Sequence, residues 1–94
     1  MCMKIKLNGY LEIYGKKNCK FCNKMLDFCK ERLDNKCWEF IDIETKEGFD
    51  KSLENYVGYI PEVILYNNCY QEIYRHIGFL EFEEIVKKIG VFNG

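Results

Sequence analysis

Ile13-Tyr14-Gly15-Lys16-Lys17-Asn18-Cys19-Lys20-Phe21-Cys22 is the stretch whose reading decides the fold. It closes an alternating segment, Tyr10-Leu11-Glu12-Ile13-Tyr14, that reads as a β-strand ending at Gly15. Downstream, Cys22, Met25, Leu26, Cys29 and Leu33 fall on one face of a helix. Asn18 is the expected N-cap, which sets Cys19 at the start of that helix. A Cys-x-x-Cys pair thus stands at a strand-to-helix junction. The first helical turn leaves backbone N–H groups unpaired and carries the positive end of the helix dipole, so a thiolate is stabilised there. Residues 16–24 add Lys16, Lys17, Lys20 and Lys24 and no carboxylate. An ordinary thiol, with a pKa of about 8.5, is only a few per cent ionised at neutral pH, so this setting matters. Cys19 is the expected nucleophile. Cys22, one turn further in and on the apolar stripe, is the expected resolving thiol.

Working outward, Trp38-Glu39-Phe40-Ile41-Asp42-Ile43 reads as a second strand with a pattern suited to a buried position. From Thr45, the residues Phe49, Leu53, Tyr56 and Val57 keep helical spacing up to Gly58. Ile60-Pro61 leads into a third strand, Glu62-Val63-Ile64-Leu65-Tyr66, and Asn67-Asn68 marks a turn. Cys69 to His76 is the expected returning strand, broken at Gly78. Phe82, Ile85, Val86 and Ile89 mark a last helix, stopped by Gly90. The order β-α-β-α-β-β-α predicts an α/β fold, with a parallel pair crossing over through a helix and an antiparallel hairpin. Residues 1–94 make one domain, in which 1–9 either extend the first strand or form an arm.

Composition narrows the function. The 94 residues are 48% hydrophobic and 16% aromatic, enough apolar surface to order a single core. With 14 basic against 15 acidic side chains the net charge is −1, which gives no electrostatic case for nucleic acid or an anionic membrane. No apolar run approaches the roughly 18–20 residues of a membrane span. Met1-Cys2-Met3-Lys4 opens no signal-peptide core. A soluble, cytoplasmic monomer is the expectation.

Of the six cysteines, only Cys19 and Cys22 stand close together. A structural zinc site needs four ligands, and this chain offers no second pair and one histidine, His76, so no metal is expected. Cys29 shares the face of Cys22 two helical turns on and reads as a small core residue. Cys37 and Cys69 fall at expected strand positions, buried or unreactive, and Cys2 reads as an exposed thiol on a mobile end. His76 reads as structural or exposed, and not catalytic. Lys17, Lys20 and Lys24 read as a solvated face.

Three separated pieces make the chain resemble a glutaredoxin of the thioredoxin-like superfamily, dithiol type, from Tyr10 to Gly90. Ile13 to Cys22 is similar to the family's strand, lysine and Cys-Pro-Tyr-Cys, here Cys-Lys-Phe-Cys. Tyr59-Ile60-Pro61 stands where the family has Thr-Val-Pro with a cis proline. His76-Ile77-Gly78-Phe79-Leu80-Glu81 stands where it has Gly-Gly-x-Asp before the last helix. The resemblance implies a thioredoxin-like fold, a four-stranded mixed sheet flanked by helices, and glutathione as reducing cosubstrate. It implies that Lys16 pairs with the glycine carboxylate of glutathione and that the Ile60 backbone, before Pro61, holds its cysteinyl part. Glu81 would lie near the γ-glutamyl ammonium beside the Gly78 backbone, with Phe21 and Tyr59 flanking the groove. Lys20 for the motif proline, Tyr59 for threonine, Phe79 for the second glycine and a longer hairpin depart from the pattern.

The leading expectation is a glutathione-dependent thiol–disulfide oxidoreductase acting on protein disulfides and glutathione mixed disulfides. The resemblance permits ribonucleotide reductase among its partners, though no residue points to it. A thioredoxin-like reductant of one protein is the alternative, with Tyr59 and Phe79 shaping its surface. A 2Fe–2S carrier using Cys19 of two subunits is a third, weakened because such carriers usually have serine at the Cys22 position.

Overall fold

The structure, a computed structural model, describes residues 4–89 and 91–92. In chain order its elements are β1 (Lys6–Leu7), β2 (Tyr10–Gly15), α1 (Lys20–Arg32), β3 (Trp38–Asp42), α2 (Lys46–Glu54), β4 (Glu62–Tyr66), β5 (Glu72–Ile77), α3 (Phe82–Ile89) and β6 (Val91–Phe92). Four strands form one mixed sheet in the order β3-β2-β4-β5. β2 runs parallel to β3 and antiparallel to β4, and β4 is antiparallel to β5. The expected α/β order therefore holds.

β2 is buried from Leu11 to Gly15 because it has a strand on each side and helices over both faces. Leu11 and Ile13 join Met25, Cys29 and Leu33, Val63 and Leu65 of β4, and Leu80, Ile85 and Ile89 in the main core. On the other face Tyr14, Ile41 and Ile64 form a smaller cluster with Ile43, Val57 and Tyr66 against it. α1 and α3 meet through Phe28 and Phe82, whose ring centroids are 5.9 Å apart.

Several expectations are corrected. β3 is an edge strand in which only Ile41 is buried, because β4 pairs with the far side of β2 and leaves the outer edge of β3 free. Residues 4–9 neither lengthen β2 nor hang loose. β1 pairs antiparallel with β6, and Ile5 is fastened to the end of α1 by Ile5 N–H to Arg32 O and Asp34 N–H to Ile5 O, both 2.8 Å. The second helix stops at Glu54 instead of reaching Val57: Asn55 caps it, and Tyr56 takes a left-handed φ of 58°. The returning strand begins at Glu72, since residues 67–71 form a loop gathered by Asn67 Oδ1, which accepts from the amides of Cys69 and Gln71. Cys69 is consequently exposed on that loop, and not at a strand position. His76 lies half-buried on β5, stacked on Tyr74. The readings of Cys2 and Gly90 fall outside the described residues.

Candidate active site

β2 ends at Gly15, and a short turn closed by Cys19 N–H to Lys16 O at 3.3 Å delivers the chain to α1. Cys19 itself, and not Asn18, is the N-cap: its backbone is extended and its Sγ accepts the Cys22 N–H at 3.2 Å. The sulfur does the work of a capping oxygen, taking up one of the free amides of the first turn. That turn holds no acidic side chain. Asn23 braces the approach, with Nδ2 donating to Lys17 O at 2.9 Å.

Cys19 and Cys22 are joined in a disulfide with Cα atoms 5.1 Å apart. Cys19 is partly exposed, whereas Cys22 is fully buried. Only the outer sulfur is open to an incoming group. Gly15 makes the pairing possible: a Cβ there would come within 2.7 Å of Cys22 Sγ and 3.0 Å of the Phe40 ring. A glycine within a strand often marks such close approach; reading Gly15 only as a strand end misses that role.

The other thiols are set apart. Burial pushes the Cys29 and Cys37 thiols above their ordinary range, and Cys37 Sγ donates to Asp34 O at 3.0 Å. Both sit in the core as small hydrophobes. Among the described residues, no group of three His, Cys, Asp or Glu side chains is placed to hold a metal.

Strand register brings the remaining candidates to the same end of the sheet. Tyr14 pairs with Glu62, and Glu62 with Ile77, so the end of β2, the start of β4 and the end of β5 lie side by side. Lys16, Cys19, Phe21 and Cys22 therefore share this end with Tyr59, Ile60, Pro61 and Gly78. The Ile60–Pro61 bond is cis, as the resemblance implies. Pro61 is buried and its carbonyl accepts the Gly78 N–H at 2.7 Å. Gly78 turns there with φ of 98°, which a side chain would resist, and its amide is occupied by Pro61. Lys16, Phe21, Tyr59 and Glu81 are exposed, with Phe21 at 52% and Tyr59 at 69%. The Glu81 carbonyl starts α3, accepting from the amides of Glu84 and Ile85.

Two side chains differ from their sequence reading. Phe79 is half-buried, its ring edge-on to Phe28 at 6.0 Å and packed against the main core, so it is less free than an exposed surface ring. Lys24 lies 4.6 Å over the Phe79 ring, a cation–π contact that gives it more than a solvated role.

No protein-family model matches this chain, and no curated sequence does. Solved structures do match. Thioredoxin 1 of the thermophilic eubacterium Thermosipho africanus superposes with a TM-score of 0.64 at 20% identity, over 84% of this chain and 88% of that one. The oxidised C-terminal domain of Neisseria meningitidis DsbD gives 0.63 at 15% identity, over 85% and 76%. Thioredoxin-2 of the malaria parasite gives 0.60 at 17% identity, over 92% and 82%. The chain has the thioredoxin-like fold, and it carries a closed Cys-x-x-Cys disulfide at the head of its first long helix. No described helix is long and apolar enough to cross a membrane.

Proposed function

We propose that this protein is a dithiol thiol–disulfide oxidoreductase in which Cys19 attacks and Cys22 resolves. The observation that carries the reading is the placement of the two sulfurs: Cys19 partly exposed at a helix N-terminus and accepting an amide N–H, Cys22 buried behind it. In the reduced protein the Cys19 thiolate attacks one sulfur of a substrate disulfide, which breaks and releases a thiolate that takes up a proton. Cys22 then loses its proton and attacks Cys19 Sγ, closing the Cys19–Cys22 disulfide and releasing the second substrate thiol. Two electrons pass from the protein to the substrate.

Glutathione is the reducing cosubstrate in this reading. Two molecules return the disulfide to the dithiol and leave as glutathione disulfide. The exposed lysines around Cys19, namely Lys16, Lys17 and Lys20, suit an anion with two carboxylates, and Lys16 is the one that takes the glycine carboxylate in this reading. Pro61, which has no N–H, leaves the preceding Ile60 backbone to pair with an extended ligand. Gly78 contributes shape, its amide being held by Pro61, and Glu81 supplies the charge for an ammonium group. A second reading, reduction of a particular protein partner with little use of glutathione, is favoured by the exposed apolar rings of Tyr59 and Phe21.

The deciding experiment is glutathione-dependent reduction of a small mixed disulfide, coupled to NADPH through glutathione reductase. Turnover that survives Cys22→Ser and vanishes in Cys19→Ser is the expected result. No turnover from protein whose Cys19 still reacts with iodoacetamide would favour the protein-reductant reading. Activity retained by Cys19→Ser would overturn both.

A further inference from the structure

Glu62 follows Pro61 directly and is buried at 3% exposure, on the sheet face away from the disulfide. Its Oε1 accepts the Gly58 N–H at 3.3 Å, and its Oε2 accepts Arg75 Nη1 at 2.7 Å. The same Nη1 reaches Asn55 O at 2.7 Å, while Nε and Nη2 of Arg75 grip the two oxygens of Glu72 at 3.0 and 2.7 Å. The Glu72 fork fixes the guanidinium plane, and the remaining corner is aimed at the loop. Asn55 also donates from Nδ2 to Tyr14 Oη at 2.9 Å, at the end of β2 next to Gly15. One continuous set of directional bonds therefore ties the segment from Asn55 to Glu62, which contains Tyr59, Ile60 and Pro61, to β2 and β5.

Stability alone does not account for such a pair. Burying a carboxylate and a guanidinium loses hydration, and a well-packed apolar pair of similar volume is often no less stable. What an apolar pair lacks is direction. We infer that Glu62 and Arg75 are positioning residues for exchange, holding the backbone from Gly58 to Pro61 at the height where an extended disulfide substrate meets Cys19. This rests on the exchange reading above. Neither side chain touches the reacting sulfurs; both act through the loop.

The test uses reduction of insulin with dithiothreitol as electron donor, the iodoacetamide reaction rate of reduced Cys19, urea unfolding, and hydrogen exchange at the Gly58 amide. For Glu62→Leu the expected result is a KM raised about five- to tenfold, kcat within about twofold, an unchanged alkylation rate and a lowered unfolding midpoint, because Arg75 and the Gly58 amide lose their acceptor; adding Arg75→Met should restore much of the midpoint and leave KM raised. Exchange at Gly58 should speed up about tenfold or more, as expected for an amide whose acceptor is lost. Arg75→Met should reproduce the KM effect, and Arg75→Lys, which keeps the charge on a single donor nitrogen, should recover part of it. The pair Glu62→Leu and Arg75→Met should be far less than additive. Unchanged KM in folded Glu62→Leu overturns the inference, as does an unchanged Gly58 exchange rate. If Glu62→Leu does not fold, the Arg75→Met and Arg75→Lys comparison carries the same decision. Wild-type protein that reduces no disulfide, with Gly58 exchange still faster in the variant, would sink the exchange reading and leave only a structural clamp.

Discussion

Neighbouring residues of β2 point to opposite faces of the sheet, and the two faces are built from different chemistry. Toward α1 and α3, Leu11 and Ile13 enter a core with no charged member, filled by Met25, Cys29, Leu33, Val63, Leu65 and Ile85. Toward α2, Glu12 and Tyr14 enter a bonded network. Glu12 Oε1 accepts the hydroxyls of Tyr14 and Tyr66, each at 3.0 Å, and its Oε2 takes Lys51 Nζ at 2.9 Å. Burial and the adjacent Glu12 push both tyrosine hydroxyls well above their ordinary range. The redox pair belongs to the apolar side: Cys22 is buried against Gly15 on the helix face that carries Met25 and Cys29. Close packing places the sulfurs, and directional bonds on the far side hold the segment from Asn55 to Glu62.

The largest expected effect comes from the apolar side. Ile13→Ala should lower unfolding free energy by about 2–5 kcal/mol, the usual result of truncating a fully buried aliphatic side chain. Glu12→Ala, one residue away, should lower it by about 2–3 kcal/mol, since two buried hydroxyls lose their acceptor while Lys51 can still turn to solvent. Glu12→Gln keeps an acceptor oxygen and should recover part of the loss. Urea unfolding of the three variants measures all of this. Glu12→Ala exceeding Ile13→Ala would mean that the polar face, and not close packing, carries more of the fold.

A smaller effect is expected where the apolar face meets the disulfide. Gly15→Ala puts a methyl group into a space already held by Cys22 Sγ, and overpacking of this kind loses about 1–3 kcal/mol. The variant should close its disulfide more slowly from the dithiol, while Cys19 alkylation keeps its wild-type rate. Equal closure rates and equal stability would show that Cys22 can shift freely, and the apolar face would not then be what places it.

Much of this contrast was legible in the sequence, and the illegible part has a physical pattern. Helical spacing from Cys22 to Leu33 and the compact run Glu62 to Tyr66 located α1 and β4, because burial on a fixed face imposes its period on the residues. Cys-x-x-Cys after an alternating strand located the redox pair for the same reason. Side chains acting through bonds to distant segments left no such period. Glu12 stands in an alternating strand segment with nothing nearby in sequence to mark it as buried, yet it is buried because Tyr66, Tyr14 and Lys51 supply its partners. Glu62 stands likewise in a strand segment, and its partner Arg75 lies 13 residues away. The helix from Thr45 was expected to run past Tyr56, where a left-handed residue ends it instead. Thr45 is a good N-cap, with Oγ1 accepting the Gly48 amide at 3.0 Å, so the start of that helix was readable where its end was not.

The smallest expected effect separates the two arms of Arg75. Its Glu62 arm is buried and its Glu72 arm is exposed, so the first should carry most of the stability at neutral pH while the second chiefly orients the guanidinium. The hydrogen bond from Arg75 holds the Glu72 carboxyl below its ordinary value. A carboxyl depressed in the folded state contributes stability above its unfolded pKa, near 4.5, and loses it as pH falls through the lower folded value. Exposure of Glu72 screens the pair, so its contribution should stay below about 1 kcal/mol and shrink with added salt. Wild type minus Glu72→Gln should therefore be a small difference, flat from about pH 6 to 7 and fading below about pH 4.5. A difference above about 2 kcal/mol at neutral pH would show that the fork carries the geometry of Arg75 by itself. The buried Glu62 arm would then be its consequence and no longer an independent hold on the loop.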